Sequence, residues 1–335
     1  MAIPFGTLPD GQKACLYTIS SGDIQAVFTD LGATLVSLSI CGTDVVLGYD
    51  NAESYFRNPG LLGTTVGRNA NRIKHAQFSL GGTLYHLPAN SGPNNIHSGP
   101  DRYSLRLWDV AEFSENTIVF HLFSPHMDQG FPGNMDIRVT YAMEAQSLCI
   151  RYDMLSDRDT VCNFTNHSYF NLYGHHRPEC AIHQRLQVHA REVSATDENN
   201  LPTGSMRAVD HSVLDFRQEA PLSRGLMPLH PDLSRQKGYD HNYALLQPEA
   251  AALRNPESGL TMKVCTDCPG LQVYTANYLN VSGKNGVAYG PHSAVCLETQ
   301  FFPDSVNHPQ WKQPFLPANV PYHSETRYQF SFHKE

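Results

Sequence analysis

Charge is scarce in this chain. Asp, Glu, Lys and Arg make up 17% of its 335 residues, against about 25% in an average globular domain. Positive charge is the scarcer sign: 24 Lys and Arg stand against 32 Asp and Glu, a formal net charge of −8. No Lys/Arg run occurs, so the electrostatic footprint of a nucleic-acid binder is missing. Nothing approaches the roughly 18 consecutive apolar residues of a membrane-spanning helix. The opening Met1-Ala2-Ile3-Pro4-Phe5-Gly6 has neither a basic start nor an apolar stretch, so no secretory leader is expected. Several chemistry-bearing motifs are lacking too. No Gly-Lys-Ser/Thr follows a Gly-rich loop, and there is no dinucleotide fingerprint, His-x-His, His-Glu-x-x-His or Gly-x-Ser-x-Gly.

The eight cysteines are scattered (Cys15, Cys41, Cys149, Cys162, Cys180, Cys265, Cys268, Cys296), unlike a small disulfide scaffold. Cys265 and Cys268 form a lone C-x-x-C with no second pair to complete four zinc ligands. A reducing, cytoplasmic setting is expected, in which the Asn-x-Ser/Thr sites at Asn163, Asn166 and Asn280 stay unmodified.

What the chain does have is apolar material, turn residues and histidine. Hydrophobic residues are 41%, and 24 Gly with 22 Pro punctuate short runs. Many of those runs alternate with period two. Val36, Leu38 and Ile40 alternate with serines, Ile137, Val139 and Tyr141 with polar residues, and Leu148, Ile150, Tyr152 and Met154 likewise. Leu186 and Val188 flank Gln187, as Leu271 and Val273 flank Gln272. Each pattern predicts a half-buried strand. With no long amphipathic helix, repeat or linker, the prediction is a large all-β antiparallel sandwich or barrel, one domain over 1–335. The stretch from Pro303 to Pro321 reads as a wandering loop. The 17 histidines are an ample store of groups that titrate near neutrality.

Four segments carry candidate chemistry. Read as one strand, 162–172 puts Cys162, Phe164, Phe170 and Leu172 on one face and Asn163, Thr165, His167, Tyr169 and Asn171 on the other. Such a polar row suits a polyhydroxylated ligand, and equally a solvated edge. In Val295–Phe302, Glu298 sits in an apolar run that would raise its pKa and make it a better base. Gly67-Arg68-Asn69-Ala70-Asn71-Arg72-Ile73 offers two guanidinium groups, and for Arg68 a structural tie is preferred. Two loops, Pro93–Pro100 and Gly238–Tyr243, carry His97, Asp240 and His241, which alone are more often structural than functional.

In this order the segments resemble the aldose 1-epimerase family. The shared motifs are Gly67–Ile73, Asn94–His97, Asp128–Gly133, Asn166–Leu172, Gly238–His241, Pro269–Tyr274 and Leu297–Pro309, with Leu31–Leu35 ahead of them. They span nearly the whole chain. The resemblance implies a galactose mutarotase-like β-supersandwich that interconverts the α and β anomers of free aldohexoses. It implies His167 as catalytic acid and Glu298 as catalytic base. Asn71, Arg72, His97, Asp240 and Gln272 match sugar-binding positions, and Tyr169 stands beside the acid. The chain departs from the family at Ser98-Gly99-Pro100, where two glycines usually follow the His, at Gln129, and at Cys268 before Pro269-Gly270. His241 and His308 are expected to be structural.

Ring opening of a hemiacetal needs a base at O1 and an acid at O5. An ionised Glu298 and a protonated His167, each stabilising the other's charge, would meet that need. No cofactor or metal is called for, and the expected partner is a small sugar rather than a nucleic acid or a membrane. Whether the protein is a monomer or a homodimer is not written in the pattern. Two rival readings are a hexose-6-phosphate 1-epimerase, which needs extra cationic groups near the sugar's C6, and a non-catalytic sugar-binding module. No second Arg or Lys can be placed near C6 from sequence alone.

Overall fold

The computed structural model describes residues 2–332. Met1 and 333–335, the ends of the expected unit, lie outside the described residues. The alternating runs become strands: Thr34–Ile40, Met135–Glu144, Ser147–Ser156, Arg185–Val188 and Gly270–Tyr274. Their side chains alternate between core and periphery because a strand repeats every two residues. Among the described residues the α-helices are short, Ala52–Arg57 and Ser223–Leu226, and none is long and apolar enough to cross a membrane.

Three antiparallel sheets dominate. The first five strands form a meander from Ile3–Thr7 to Thr43–Asp44. A nine-stranded sheet has Ser147–Ser156, Tyr322–Phe332 and Leu260–Thr266 side by side at its centre. A six-stranded sheet runs in the order Tyr169–Phe170, Val295–Gln300, Gly270–Tyr274, Asp240–Leu245, Ala190–Thr196, Pro202–Ala208. One apolar cluster joins all three, taking Phe28 and Leu38 from the first, Val139, Ile150 and Tyr328 from the second, and Leu271, Val273, Val295 and Leu297 from the third. This is the sandwich arrangement, inner faces packed and outer faces free for other use.

The outer face of the six-stranded sheet holds the chemistry. In register, Asp240 opposes Tyr274, Asn242 opposes Gln272, and Gln272 opposes Glu298. Directly opposed residues in an antiparallel pair project to the same side. Leu271, Val273 and Leu297 therefore feed the core, while Gln272, Tyr274 and Glu298 stand on the other face. Over that face lies the loop following Phe302, whose Asp304 N–H donates to the Arg72 carbonyl (2.8 Å).

The segment 162–172 corrects the sequence expectation. It is not one strand but short pieces, Thr165–Asn166 pairing with Thr65–Val66 and Tyr169–Phe170 pairing with Val295 and Cys296 at the start of Val295–Gln300. The apolar set still packs together in the core. The polar row does not form one ligand face. Asn163 Oδ1 accepts from the Phe301 N–H (2.9 Å), and Asn171 Nδ2 donates to the Arg177 carbonyl (2.9 Å). These side chains stitch backbone, because buried amides must find partners.

Candidate active site

His167 occupies the break between the two short strands. Its N–H donates to the Thr64 carbonyl (2.9 Å) and its carbonyl accepts from Gly63 N–H (3.0 Å), which fixes the backbone on both sides. The imidazole stacks on Tyr169 (centroids 5.1 Å, planes 27° apart) and meets His97 edge to face (5.6 Å). Nε2 lies 3.7 Å from Glu298 Oε2. On its other side Nδ1 lies 3.6 Å from Cys296 Sγ. An acid and a base therefore stand side by side, both lining a cavity of about 420 Å³, a size suited to a small ligand.

The walls of the cavity are built from the predicted residues. Asn71 and His97 are locked to each other: His97 N–H donates to the Asn71 carbonyl (3.1 Å), and Asn71 N–H donates to His97 Nδ1 (3.2 Å). With Nδ1 accepting, the neutral ring carries its proton on Nε2. Asn71 Oδ1 accepts from the Arg72 N–H (2.9 Å). Arg72 then reaches Asp240 (Nη2 to Oδ2, 4.0 Å), and Gln272 Nε2 donates to Asp240 Oδ1 (2.6 Å). Asn71, Arg72, His97, Tyr169, Asp240, Gln272, His167 and Glu298 all border this one cavity.

The departure at Ser98 has a local explanation. Ser98 has a left-handed backbone (φ 68°), a conformation in which glycine is usual. Its hydroxyl accepts from Asn69 N–H (2.8 Å) and donates to the Asn69 carbonyl (3.2 Å). These two bonds, each contributing about 1 kcal/mol, offset the strain and keep His97 at the cavity.

Electrostatics change one expectation. Glu298 is 2% exposed and His167 6%. Burial pushes the Glu298 carboxyl up to about 8, with Asp240 adding to the rise and Arg72 opposing it. Burial pulls His167 down to about 4. At 3.7 Å the two make no hydrogen bond, so their mutual attraction does not overcome the loss of water. Burial thus favours a protonated Glu298 and a neutral His167 over the imidazolium–carboxylate pair expected from sequence. The proton count is the same. Only its resting place differs.

Some wall residues were not among the sequence candidates. Tyr274 shares the Gln272 face by strand alternation, a signal that was available. Tyr278, its N–H donating to Tyr274 Oη (3.3 Å), and Arg102 also border the cavity. Both are loop residues that no periodicity marks. Arg68, in contrast, is fully buried among backbone carbonyls and away from the cavity, as its structural reading anticipated. His241 accepts the Asp240 N–H (3.1 Å) and His308 sits 3.3 Å from Asp304, both structural placements. One atom each from His167, Cys296 and Glu298 lie within 4.8 Å of one another and offer donors for a metal ion. Burial, reinforced by Glu298, holds the Cys296 thiol well above its ordinary range, which disfavours the thiolate a metal would need.

A β-sandwich whose outer sheet face presents a buried carboxyl beside an imidazole, ringed by amides, guanidinium groups and a carboxylate, is suited to a small polyhydroxylated ligand. Comparison with known proteins is specific. Residues 15–329 match the aldose 1-epimerase family, and the chain belongs to it. It is 35% identical to the galactose mutarotase of Mus musculus over 98% of this chain and 97% of that one. It is 36% identical to the aldose 1-epimerase of Haemophilus influenzae over 91% of each. Among solved structures, a C. elegans aldose epimerase homologue superposes with a TM-score of 0.89 at 27% identity, covering 96% of this chain and 100% of that one. A galactose 1-epimerase from Lactobacillus acidophilus gives 0.87 at 25% identity, covering 98% of each.

Proposed function

We propose that this protein is an aldose 1-epimerase, interconverting the α and β anomers of free aldohexoses such as galactose and glucose. The observation that carries the reading is the placement of Glu298 and His167, 3.7 Å apart at one cavity, with hydrogen-bonding groups for a sugar around them. A sugar-binding module has no use for a buried carboxyl oxygen left unbonded beside an imidazole.

The steps follow from the proton inventory. The anomeric O1–H donates to Glu298, and a hydroxyl bonded to a carboxylate favours its charged form. The shared proton moves to His167, which faces O5. Glu298 then takes the proton from O1 while His167 gives one to O5, and the C1–O5 bond opens to the aldehyde. Rotation about C1–C2 by about half a turn presents the other carbonyl face, and the reverse transfers close the ring. Each of the two groups contributes typically about 10²–10⁴-fold. Arg72, Asp240, Gln272, Asn71 and His97 hold the remaining hydroxyls, so only the C1 end turns. Tyr169 works through His167: its hydroxyl donates to the Gly60 carbonyl (2.8 Å), and its ring forms the wall on which the imidazole rests. No hydride or phosphoryl group moves, so the acid–base pair suffices.

The acting unit is the whole chain as one domain, supported by the apolar cluster shared among its sheets. The eight free thiols fit a reducing cytoplasm. Polarimetry of freshly dissolved α-D-galactose and α-D-glucose tests the reading. Acceleration of the rotation change by catalytic protein is expected, and a decay at the spontaneous rate would sink it.

A further inference from the structure

One strand addresses both nitrogens of the His167 ring. Cys296 and Glu298 stand two positions apart in Val295–Gln300, so they project from the same face, about 7 Å apart along the strand. The imidazole lies between them. Its Nε2 is 3.7 Å from Glu298 Oε2, and its Nδ1 is 3.6 Å from Cys296 Sγ. Aromatic rings hold it in that line: one face rests on Tyr169, and Tyr274 meets it edge-on (6.3 Å, planes 77° apart). Those two tyrosines are also the register partners of Cys296 on either side.

Cys296 is fully buried and does not line the cavity, so it is placed to act on the ring rather than on a sugar. Among the described residues, its sulfur is the one hydrogen-bond partner of Nδ1. The ring's own backbone carbonyl already accepts from the Gly63 N–H (3.0 Å). A thiol can donate or accept, so the contact alone allows two tautomers. The reaction selects between them. The transferable proton passes between Glu298 and O5 by way of Nε2, the nitrogen turned to Glu298. Nε2 must be bare in one half of the cycle and protonated in the other. A neutral ring with Nε2 bare carries its proton on Nδ1, and the imidazolium keeps that proton. Nδ1–H thus persists throughout, facing the sulfur.

We propose that Cys296 is a positioning residue: its sulfur accepts the Nδ1–H of His167 and so leaves Nε2 as the nitrogen that exchanges the proton. The inference rests on the epimerase reading of the cavity and names a group behind its wall. The kind of partner matters. A carboxylate at Nδ1 would stabilise the imidazolium and weaken His167 as an acid. A neutral thiol orients the ring without adding charge, and burial keeps the thiol neutral. The imidazolium then stays a strong acid, which protonation of a weakly basic ring oxygen requires.

Nitrogen NMR of protein isotopically labelled in its histidine rings reads the tautomer without turnover. The His167 ring is assigned by its loss in His167→Asn and followed upward in pH until it is neutral. A proton on Nδ1 and a bare Nε2 are expected in wild type. A neutral ring with its proton on Nε2 would overturn the proposal. Cys296→Ala should mix the two tautomers and lower kcat for α-D-galactose about tenfold with KM unchanged. Cys296→Ser, whose hydroxyl can still accept, should restore the wild-type tautomer and most of the rate. An alanine variant that keeps both the wild-type tautomer and kcat, or that changes KM alone, would also overturn the proposal. If that variant fails to fold, the wild-type spectrum and the serine variant decide. Polarimetry of wild type tests the epimerase reading separately, since the spectrum reports the ring whether or not sugar turns over.

Discussion

Arg68 and the His167–Glu298 pair are both buried ionisable centres, and they are built in opposite ways. Arg68 is fully buried, and its guanidinium donates to the carbonyls of Pro132 (2.7 Å), Gly133 (2.9 Å) and Ser124 (3.0 Å) and to Ser124 Oγ (2.6 Å). Its charge is spread over many acceptors, which ties the strand ends around it together. Glu298 Oε2 is buried with no hydrogen-bond partner among the described residues. The first arrangement ties a fold together, since each donor meets an acceptor and loss of the guanidinium would strand buried acceptors. The second costs stability, because a buried acceptor goes unmatched. The two centres differ not in residue chemistry but in whether the surroundings complete the hydrogen bonds.

Substitutions should break that contrast in opposite directions. Glu298→Gln or His167→Asn should lower the polarimetric rate on α-D-galactose by about 10²–10⁴-fold or more, while circular dichroism shows the native β signature. Arg68→Met should do the reverse. Urea denaturation should show a loss of about 3–5 kcal/mol, with the rate per folded molecule little affected.

A subtler effect follows for Glu298→Gln. The native carboxyl value of about 8 lies above the ordinary 4.5, so as pH rises the unfolded chain releases this proton first. Wild-type stability therefore falls between about 4.5 and 8, and the glutamine variant escapes the fall. Its melting temperature should exceed wild type by a margin that widens over that range, worth on the order of a few kcal/mol by pH 8–9. An equal margin at pH 4.5 and pH 9 would contradict the buried-carboxyl account. The smallest effect belongs to Tyr169→Phe. It loses the bond to Gly60, about 1 kcal/mol, and should lower kcat a few-fold more than it raises KM. A pure KM effect would instead make Tyr169 a sugar contact.

The fold was legible because strand alternation is a local, two-residue signal, and Leu271-Gln272-Val273 or Leu148–Met154 display it without tertiary help. The proposed acid–base pair was legible in part. Glu298 stood out as an acid in an apolar run, and its strand puts it where alternation said. The polar face that marks His167 in the sequence presumes a continuous strand, and the chain instead forms two short ones. The break at Ser168 depends on the Thr65–Val66 strand far along the chain, which no local pattern announces. Arg102 and Tyr278 carry no local signal, because loop residues reach the cavity by backbone path rather than by period. The resting place of the proton was likewise hidden, since it depends on how completely water is excluded around Glu298 and His167.

The central claim is that these two groups share one transferable proton. The pH dependence of kcat/KM for α-D-galactose, measured by polarimetry on wild-type protein, tests it most directly. With His167 near 4 and Glu298 near 8, the pair holds that single proton between those values, gains a second below and loses the only one above. The account predicts a broad plateau between about pH 4 and 8 with a fall on either side, and a rate that stays level well beyond pH 8, or one that peaks sharply instead of holding a plateau, would contradict it.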